Sequence, residues 1–225
     1  MLSRDRPSAV VFDLGGVLID WDPRHLYRRL FDDPDEMEAF LDEVSLAEWN
    51  AEQDAGRPWT LAVELLVAEH PERRDLIEAF HRRWPETLAG EIPGTVAVLA
   101  ELRATGVRLF ALSNWSAETY PVALERFGFL SWFEGVVISG EVGVVKPDRR
   151  IFEHLAGRFG VDPTTAVFID DSPANVEAAR RLGFQAIRFT GAAALRDELV
   201  RLGLLDPLSM PAPITAGRGV SGTDA

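Results

Sequence analysis

Three aspartates, Asp13, Asp170 and Asp171, with Ser113, Asn114 and Lys146, are the side chains whose types and spacing could do chemistry. The carboxylates close apolar runs, VVFD and VFIDD; Ser113 and Asn114 close LFALSN, and Lys146 sits in VVKPD. Adjacent carboxylates repel one another unless a cation lies between them, and magnesium favours a few carboxylates supplemented by water and phosphate oxygens. Asp13 would complete such a set. A carboxylate can also attack phosphorus, giving an aspartyl phosphate that water then hydrolyses. The charge on the phosphoryl oxygens would need donors: the Lys146 ammonium, the Ser113 hydroxyl, the Asn114 amide and the backbone N–H groups of the turn after Asp13, where Gly15 and Gly16 permit close backbone approach. Any one of these residues alone has an ordinary reading, since an aspartate ending a strand commonly serves as a turn or cap residue. Their order and shared placement carry more weight than the parts.

That placement depends on a parallel sheet. The runs at 9–14, 107–112, 136–139 and 166–170 are short and apolar without alternation, as in strands buried on both faces, and QAIRF at 185–189 is a weaker fifth. Between them lie the helical patterns GTVAVLAELRATG, YPVALERFG, DRRIFEHLAGRFG and PANVEAARRLG, which end in Gly106, Gly128, Gly160 and Gly183, where helix C-caps belong. Strands alternating with helices over short connections imply right-handed crossovers and an α/β fold with a parallel sheet. Ligands of such sheets bind beyond the carboxyl ends of the strands, so the six residues would face one crevice.

The stretch 21–89 differs: it is helical in period and offers no strand candidate. Its charge runs, DDPDEMEAFLDEV and PERRDLIEAFHRRW, suit solvated helix faces. It reads as a helical insertion placed to cap the carboxyl edge of the sheet, leaving 1–20 and 90–210 as the core. Residues 211–225 are rich in glycine, serine, threonine and proline, the composition of a disordered tail.

Composition narrows the chemistry. At 225 residues, 47% hydrophobic and 26% charged, the chain has the make-up of an ordinary globular protein with a full core. The absence of cysteine excludes disulfides, thiolate metal sites and a cysteine nucleophile. A formal net charge of −13 disfavours nonspecific nucleic-acid binding and means that a small anionic ligand must be held by local cations. No apolar run has membrane-spanning length and MLSRDRPSAV lacks a leader's apolar centre, so a cytoplasmic protein without membrane association is expected.

The four segments FDLGGVL, LFALSN, GVVKPDRRIF and VFIDDSPANV, in this order, resemble the motifs of the haloacid dehalogenase-like hydrolase superfamily, subfamily IA, over nearly the whole chain except its tail. Within it the chain resembles bacterial sugar-phosphate phosphatases related to glucose-1-phosphate phosphatase, and the N-terminal phosphatase domain of soluble epoxide hydrolases. The resemblance implies a Rossmann-like three-layer core with a small helical cap after the first strand, and a magnesium-dependent phosphatase working through an aspartyl intermediate on a small phosphorylated metabolite. It makes Asp13 the nucleophile, Asp13, the Gly15 carbonyl, Asp170 and Asp171 the metal ligands, Ser113 and Asn114 the phosphate-binding pair, and Lys146 the cation that steadies both. Asn175 would orient a metal-bound water or simply start a helix.

Most phosphatases of this superfamily carry an aspartate two residues after the nucleophile, to protonate the leaving alcohol and then activate water. Gly15 can do neither. General acid–base help is worth roughly 10² to 10⁴ in rate, about 3–5 kcal/mol, so its absence favours substrates with an already acidic leaving group, such as an anomeric hydroxyl or a phenol. The related glucose-1-phosphate phosphatases share the glycine. A 2-haloacid dehalogenase would also dispense with the acid, since halide leaves without a proton, but two acids beside the nucleophile would repel a haloacid carboxylate. A non-catalytic phosphate-ligand-binding protein is the third reading.

Further residues have two readings each. His25 stands where the chain enters the insertion, as a surrogate acid or a surface histidine. Asp20 and Asp22 suit loop hydrogen bonding. Trp21, Trp49, Trp59 and Trp84 suit packing or stacking on a sugar face, while Trp115, directly after Ser113-Asn114, is the better pocket candidate. Arg24 and Arg57 could meet a second anionic group or simply be exposed.

Overall fold

The computed structural model describes residues 6–207, so the expected tail at 211–225 lies outside the described residues. In chain order the elements begin with β1 (Ala9–Phe12), β2 (Ile19–Trp21), α1 (Arg24–Tyr27), α2 (Pro34–Glu43), α3 (Leu46–Asp54), α4 (Trp59–Glu69) and α5 (Arg74–Arg82). There follow β3 (Leu88–Glu91), α6 (Pro93–Ala104), β4 (Arg108–Ser113), α7 (Tyr120–Arg126), β5 (Gly135–Ile138), α8 (Ser139–Val142), α9 (Arg149–Phe159), β6 (Ala166–Asp170), α10 (Pro173–Arg181), β7 (Gln185–Arg188) and α11 (Ala192–Arg201).

Five strands form one parallel sheet in the order β5-β4-β1-β6-β7. The first strand is central; the chain builds outward through β4 and β5, then crosses to the other side for β6 and β7. Alternation within the strands explains their unbroken apolar runs. Val10, Phe12, Leu109, Ala111, Val167 and Ile169 enter the cluster that Leu99 and Leu102 of α6 and Leu195 and Leu199 of α11 close. Ala9, Val11, Phe110, Leu112, Ala166 and Phe168 enter the opposite cluster, which Ile151, Phe152 and Leu155 of α9 and Ala178 and Ala179 of α10 close. The strands thus bury side chains on both faces, which is why no polar residue interrupts β1. This is the three-layer Rossmann-like α/β architecture that the motifs imply.

Gly160 ends α9 in the left-handed conformation expected of a C-cap glycine, with φ of 62°. Gly128 does not do so: α7 already ends at Arg126, and Gly128 opens a 3-10 turn.

The sequence offered no strand in 21–89, yet β2 and β3 pair antiparallel, Ile19 opposite Glu91 and Trp21 opposite Leu88, with an irregularity between Asp20 and Trp21. Strands of three and four residues are too short to show a period. Helices α1–α5 stand on this ribbon around an aromatic centre, where Tyr27 stacks on Phe80 at 5.9 Å and Trp49 meets Trp59 edge-on at 5.5 Å. The Trp59 indole N–H donates to Ser116 Oγ (3.0 Å) and its backbone N–H to Glu118 Oε1 (3.0 Å), tying the helical unit to the loop after β4. A second tie joins the end of α3 to the start of α8, where the Ser139 hydroxyl donates to the Asp54 carbonyl (2.5 Å).

Candidate active site

Register brings the polar strand ends together. Phe12 pairs with Ala111 on one side and Ile169 on the other, so Asp13, one residue further, emerges beside the ends of β4 and β6, and its N–H donates to the Ile169 carbonyl at 2.8 Å. Three donors converge on Asp13 Oδ1: the Leu14 N–H (2.7 Å), the Ser113 hydroxyl (2.9 Å) and the Lys146 ammonium (2.9 Å). Among the described residues no donor is bound to Oδ2. The carboxylate is therefore fixed in orientation with one oxygen committed and the other available.

Lys146 also donates to Asp170 Oδ2 at 2.7 Å, and its side chain is 1% exposed. Asn114 holds the lysine's backbone from both sides: the Lys146 N–H donates to Asn114 Oδ1 (2.8 Å), and Asn114 Nδ2 donates to the Lys146 carbonyl (3.0 Å). This leaves the second amide hydrogen of Asn114 for a ligand. Asn175 Nδ2 contacts both Asp170 oxygens (3.0 and 3.1 Å) and the Ser172 N–H donates to Oδ1 (2.9 Å), so Asn175 positions an acid. Gly16, expected among the phosphate donors, gives its N–H to the Ile19 carbonyl at 2.9 Å. Of the glycine amides in the turn after Asp13, that of Gly15 is the one with no acceptor among the described residues.

Electrostatics follow from burial. Burial pushes the Asp13 carboxyl up to about 7, with the negative charge of Asp170 adding to the rise and Lys146 opposing it. For Lys146 burial pulls downward, but the attraction of Asp13 and Asp170 outweighs it and the ammonium is held above 10.5. Asp171 is raised by burial and by Asp170.

One oxygen each of Asp13, Asp170 and Asp171 lie within 4.8 Å of one another. Three carboxylates against one ammonium leave an excess of two negative charges, which an oxygen-seeking divalent cation would balance. Gly16 adds a steric argument. A Cβ there would come within 2.6 Å of Asp171 Oδ2, and φ is +71°, so the loop accepts only glycine where it passes the third acid. The residues fit magnesium.

Beside this cluster lies a cavity of about 50 Å³ lined by Gly15, Trp21, Asn50, Asp54, Trp84, Asn114 and Trp115. An open groove of about 470 Å³ shares Trp21 and Asn50 with it and continues along α2 and α3 past Leu41, Ser45 and Glu48. Asn50 and Asp54 come from the helical unit and were not among the sequence candidates. One signal existed: Asp54 is an acid in the last turn of α3, where the helix dipole disfavours negative charge.

Comparison with known proteins gives this arrangement its family. The model of the haloacid dehalogenase-like hydrolases matches residues 7–183, most of the chain. The chain belongs to the haloacid dehalogenase-like hydrolases. This hydrolase is 39% identical over 122 residues to a phosphoserine phosphatase of Thermus thermophilus, an alignment covering 52% of this chain and 47% of that protein. It thus spans about half the length of that relative. It is 28% identical to a plasmid-encoded phosphoglycolate phosphatase of Cupriavidus necator, over 94% of both chains. Among solved structures it shares the fold of a family enzyme from Bacteroides thetaiotaomicron in complex with magnesium and inorganic phosphate, with a TM-score of 0.60 at 23% identity, covering 81% of this chain and 93% of that one. It also shares the fold of L-2-haloacid dehalogenase from Xanthobacter autotrophicus with chloropropionic acid covalently bound, with a TM-score of 0.58 at 23% identity, covering 90% and 85%. The fold therefore hosts both chemistries, and the choice rests on the site.

The remaining sequence candidates of this hydrolase separate by contact. Trp115 lines the cavity with Trp21 and Trp84, and its indole N–H donates to Thr119 Oγ1 (3.1 Å). Trp49 and Trp59 pack against Phe80 instead. His25 is not among the residues lining the cavity; its Nε2 pairs with Asp20 Oδ1 at 2.9 Å. Arg24 is clamped by Glu38 through two contacts of 2.6 Å, and Arg57 is engaged by Glu52, Gln53 and the Trp49 carbonyl. No helix among the described residues is long and apolar enough to cross a membrane.

Proposed function

We propose that this hydrolase is a magnesium-dependent phosphatase acting on a small phosphorylated metabolite, with sugar phosphates favoured, through an aspartyl phosphate on Asp13. The observation that carries this reading is the Asp170–Asp171 pair facing Asp13 with Lys146 as the one cation paired with them among the described residues. A haloacid carboxylate would meet this excess of negative charge unscreened, whereas a phosphate brings its own demand for a divalent cation. The relatives named phosphatases support the same choice. The aromatic wall of Trp21, Trp84 and Trp115 suits a sugar ring.

Asp13, Asp170, Asp171 and the Gly15 carbonyl would hold magnesium, which when bound neutralises charge on the phosphate oxygens. The protein's own residues do the rest. Leu14, Ser113 and Lys146 pin Oδ1, so Oδ2 is the atom that attacks phosphorus. The second Asn114 amide hydrogen, the Gly15 N–H and the remaining hydrogen of the Lys146 ammonium meet the phosphoryl oxygens, while the one Ser113 hydrogen stays on Asp13. Residues 21–89 act as a cap over the core of 1–20 and 90–210, and the groove along α2 and α3 takes the leaving group.

Phosphate release across a panel of phosphorylated metabolites, with magnesium and after chelation, tests the proposal. Turnover that needs the metal supports it. Absence of turnover over a broad panel, indifference to chelation, or halide release from 2-chloropropionate without metal defeats it.

A further inference from the structure

Gly15 leaves the site without the proton donor that an alcohol leaving group requires, and the structure offers a carboxyl group in its place. Asp54 is the last residue of α3, and it lines the same cavity as Gly15 although some forty positions separate them in sequence. The fold holds it there firmly. Its backbone carbonyl accepts from the Ser139 hydroxyl, and Gly56, two residues on, packs against the Gly140 carbonyl at ordinary van der Waals distance, where a Cβ would lie 3.4 Å from the oxygen. Gly140 in turn passes the Ala117 amide nitrogen so tightly that a Cβ would lie 2.5 Å from it. The helical unit thus docks through the tip of α3, and docking delivers the Asp54 side chain to the cavity.

Resting on the phosphatase reading above, we infer that Asp54 is the acid and base of this reaction, supplied from the cap in place of an acid at Gly15. In the first half-reaction Asp13 Oδ2 forms a bond to phosphorus as the bond from phosphorus to the leaving oxygen breaks. That oxygen takes the Asp54 proton and departs as the alcohol, leaving Asp54 a carboxylate. In the second, water attacks phosphorus and gives its proton to Asp54, the bond from phosphorus to Asp13 breaks, and phosphate leaves with both aspartates restored.

The surroundings of Asp54 suit the task. From its own helix the Asn50 amide donates to Oδ2 at 3.1 Å, and from the loop after β4 the Ser116 backbone amide supplies a hydrogen bond. Asp13 is the charged group whose field acts on it. The nearby cation Arg57 is engaged by Glu52, Gln53 and the Trp49 carbonyl, and Glu141 of α8 acts on Tyr120. Among the described residues no cation therefore holds Asp54 ionised. Burial first, and the charge of Asp13 second, push its carboxyl up to about 7 against the Ser116 amide, close to where a group must sit to give and recover a proton near neutrality. The negative end of α3 acts in the same direction. The preference for acidic leaving groups that Gly15 alone would dictate is correspondingly relaxed.

The test compares Asp54→Asn with wild type on an aryl phosphate, p-nitrophenyl phosphate, and an alkyl phosphate, glycerol 3-phosphate, with magnesium present. A nitrophenolate needs no proton to leave and an alkoxide does. The expected result is that kcat on the alkyl substrate falls by roughly 10² to 10⁴ while formation of the aspartyl phosphate from the aryl ester, read as the pre-steady-state burst of nitrophenol, stays within a few-fold. The alkaline limb of the alkyl kcat–pH profile, which reports loss of the Asp54 proton, should vanish, and Asp54→Glu should restore part of the rate. A nitrophenol burst rate that falls as far as kcat on the alkyl substrate, or no change in either quantity, overturns the proposal. If wild type releases phosphate from neither substrate nor from any wider panel, the phosphatase reading fails instead. An active wild type with an unaltered Asp54→Asn leaves that reading standing and removes Asp54 from it.

Discussion

Replacing Lys146 by methionine should destabilise the metal-free protein by about 3–5 kcal/mol at pH 8, the cost of removing one partner from a buried ion pair. Lysine Nζ lies 2.9 Å from Asp13 and 2.7 Å from Asp170, in side chains that are 1%, 11% and 0% exposed, so neither acid can turn to water for compensation. Methionine is unbranched and fills nearly the same space, so the loss reports charge rather than a cavity. Against a total stability of about 5–15 kcal/mol for a typical domain, the effect is large. Urea denaturation in chelator at pH 8 and pH 5 measures it. Burial pushes the Asp13 carboxyl up to about 7 from its usual 3.8, so the folded state binds this proton more tightly than the unfolded chain and loses stability as pH rises between those values. At pH 5 the proton is bound and the deficit of the variant should shrink. Lys146 in the wild type, held above 10.5, contributes fully below that pH and loses its contribution only as pH passes the higher folded value. A change below about 1 kcal/mol at pH 8 would refute the reasoning. So would an equal loss at both pH values, because the lysine would then not be balancing titratable acids.

Asp54→Asn should stabilise the protein at pH 8 while harming catalysis. A folded value of about 7 against 3.8 means that ionising Asp54 opposes folding above pH 7, by at most about 4 kcal/mol and by about half that where solvent reaches the site; thermal melts should show the gain at pH 8 and not at pH 4. Gly16→Ala should displace Asp171, because its Cβ would lie 2.6 Å from Oδ2, and calorimetry should show magnesium binding weakened at least tenfold. Gly15→Asp should fold normally, since its Cβ meets nothing within 4 Å, and in the Asp54→Asn background it should recover alkyl phosphate turnover; failure to recover any would count against a missing proton as the defect.

How much of this was readable from the sequence depended on how local each signal was. The apolar run ending in Asp13 carries its own explanation: Val10 and Phe12 fill one side of the sheet, Ala9 and Val11 the other, so the strand must be central and its end must open on the crevice. The same rule brings Ser113 and Asp170 beside it. The β2–β3 ribbon was invisible because Ile19–Trp21 and Leu88–Glu91 gain strand character only from each other, across nearly seventy residues. The turn's sequence suggests Gly16 as a phosphate donor because the turn alone does not reveal that Ile19 claims its N–H. Asn50 and Asp54 were missed for the same reason on a larger scale. On their own helix they look like solvated polar residues, and only the docking of Trp59 on Ser116 and of the α3 tip on Ser139 turns them inward. His25 drew attention through its residue type, and its partner proved to be Asp20.

The central claim is that Asp13 is phosphorylated during turnover. Quenching the magnesium-loaded protein in acid within the first turnover of p-nitrophenyl phosphate, followed by peptide mass analysis, measures it directly. The account requires a phosphoryl adduct on the peptide containing Asp13, abolished in Asp13→Asn and present in Asp54→Asn. Steady phosphate release by wild type with no adduct at any quench time, or undiminished release by Asp13→Asn, would contradict it.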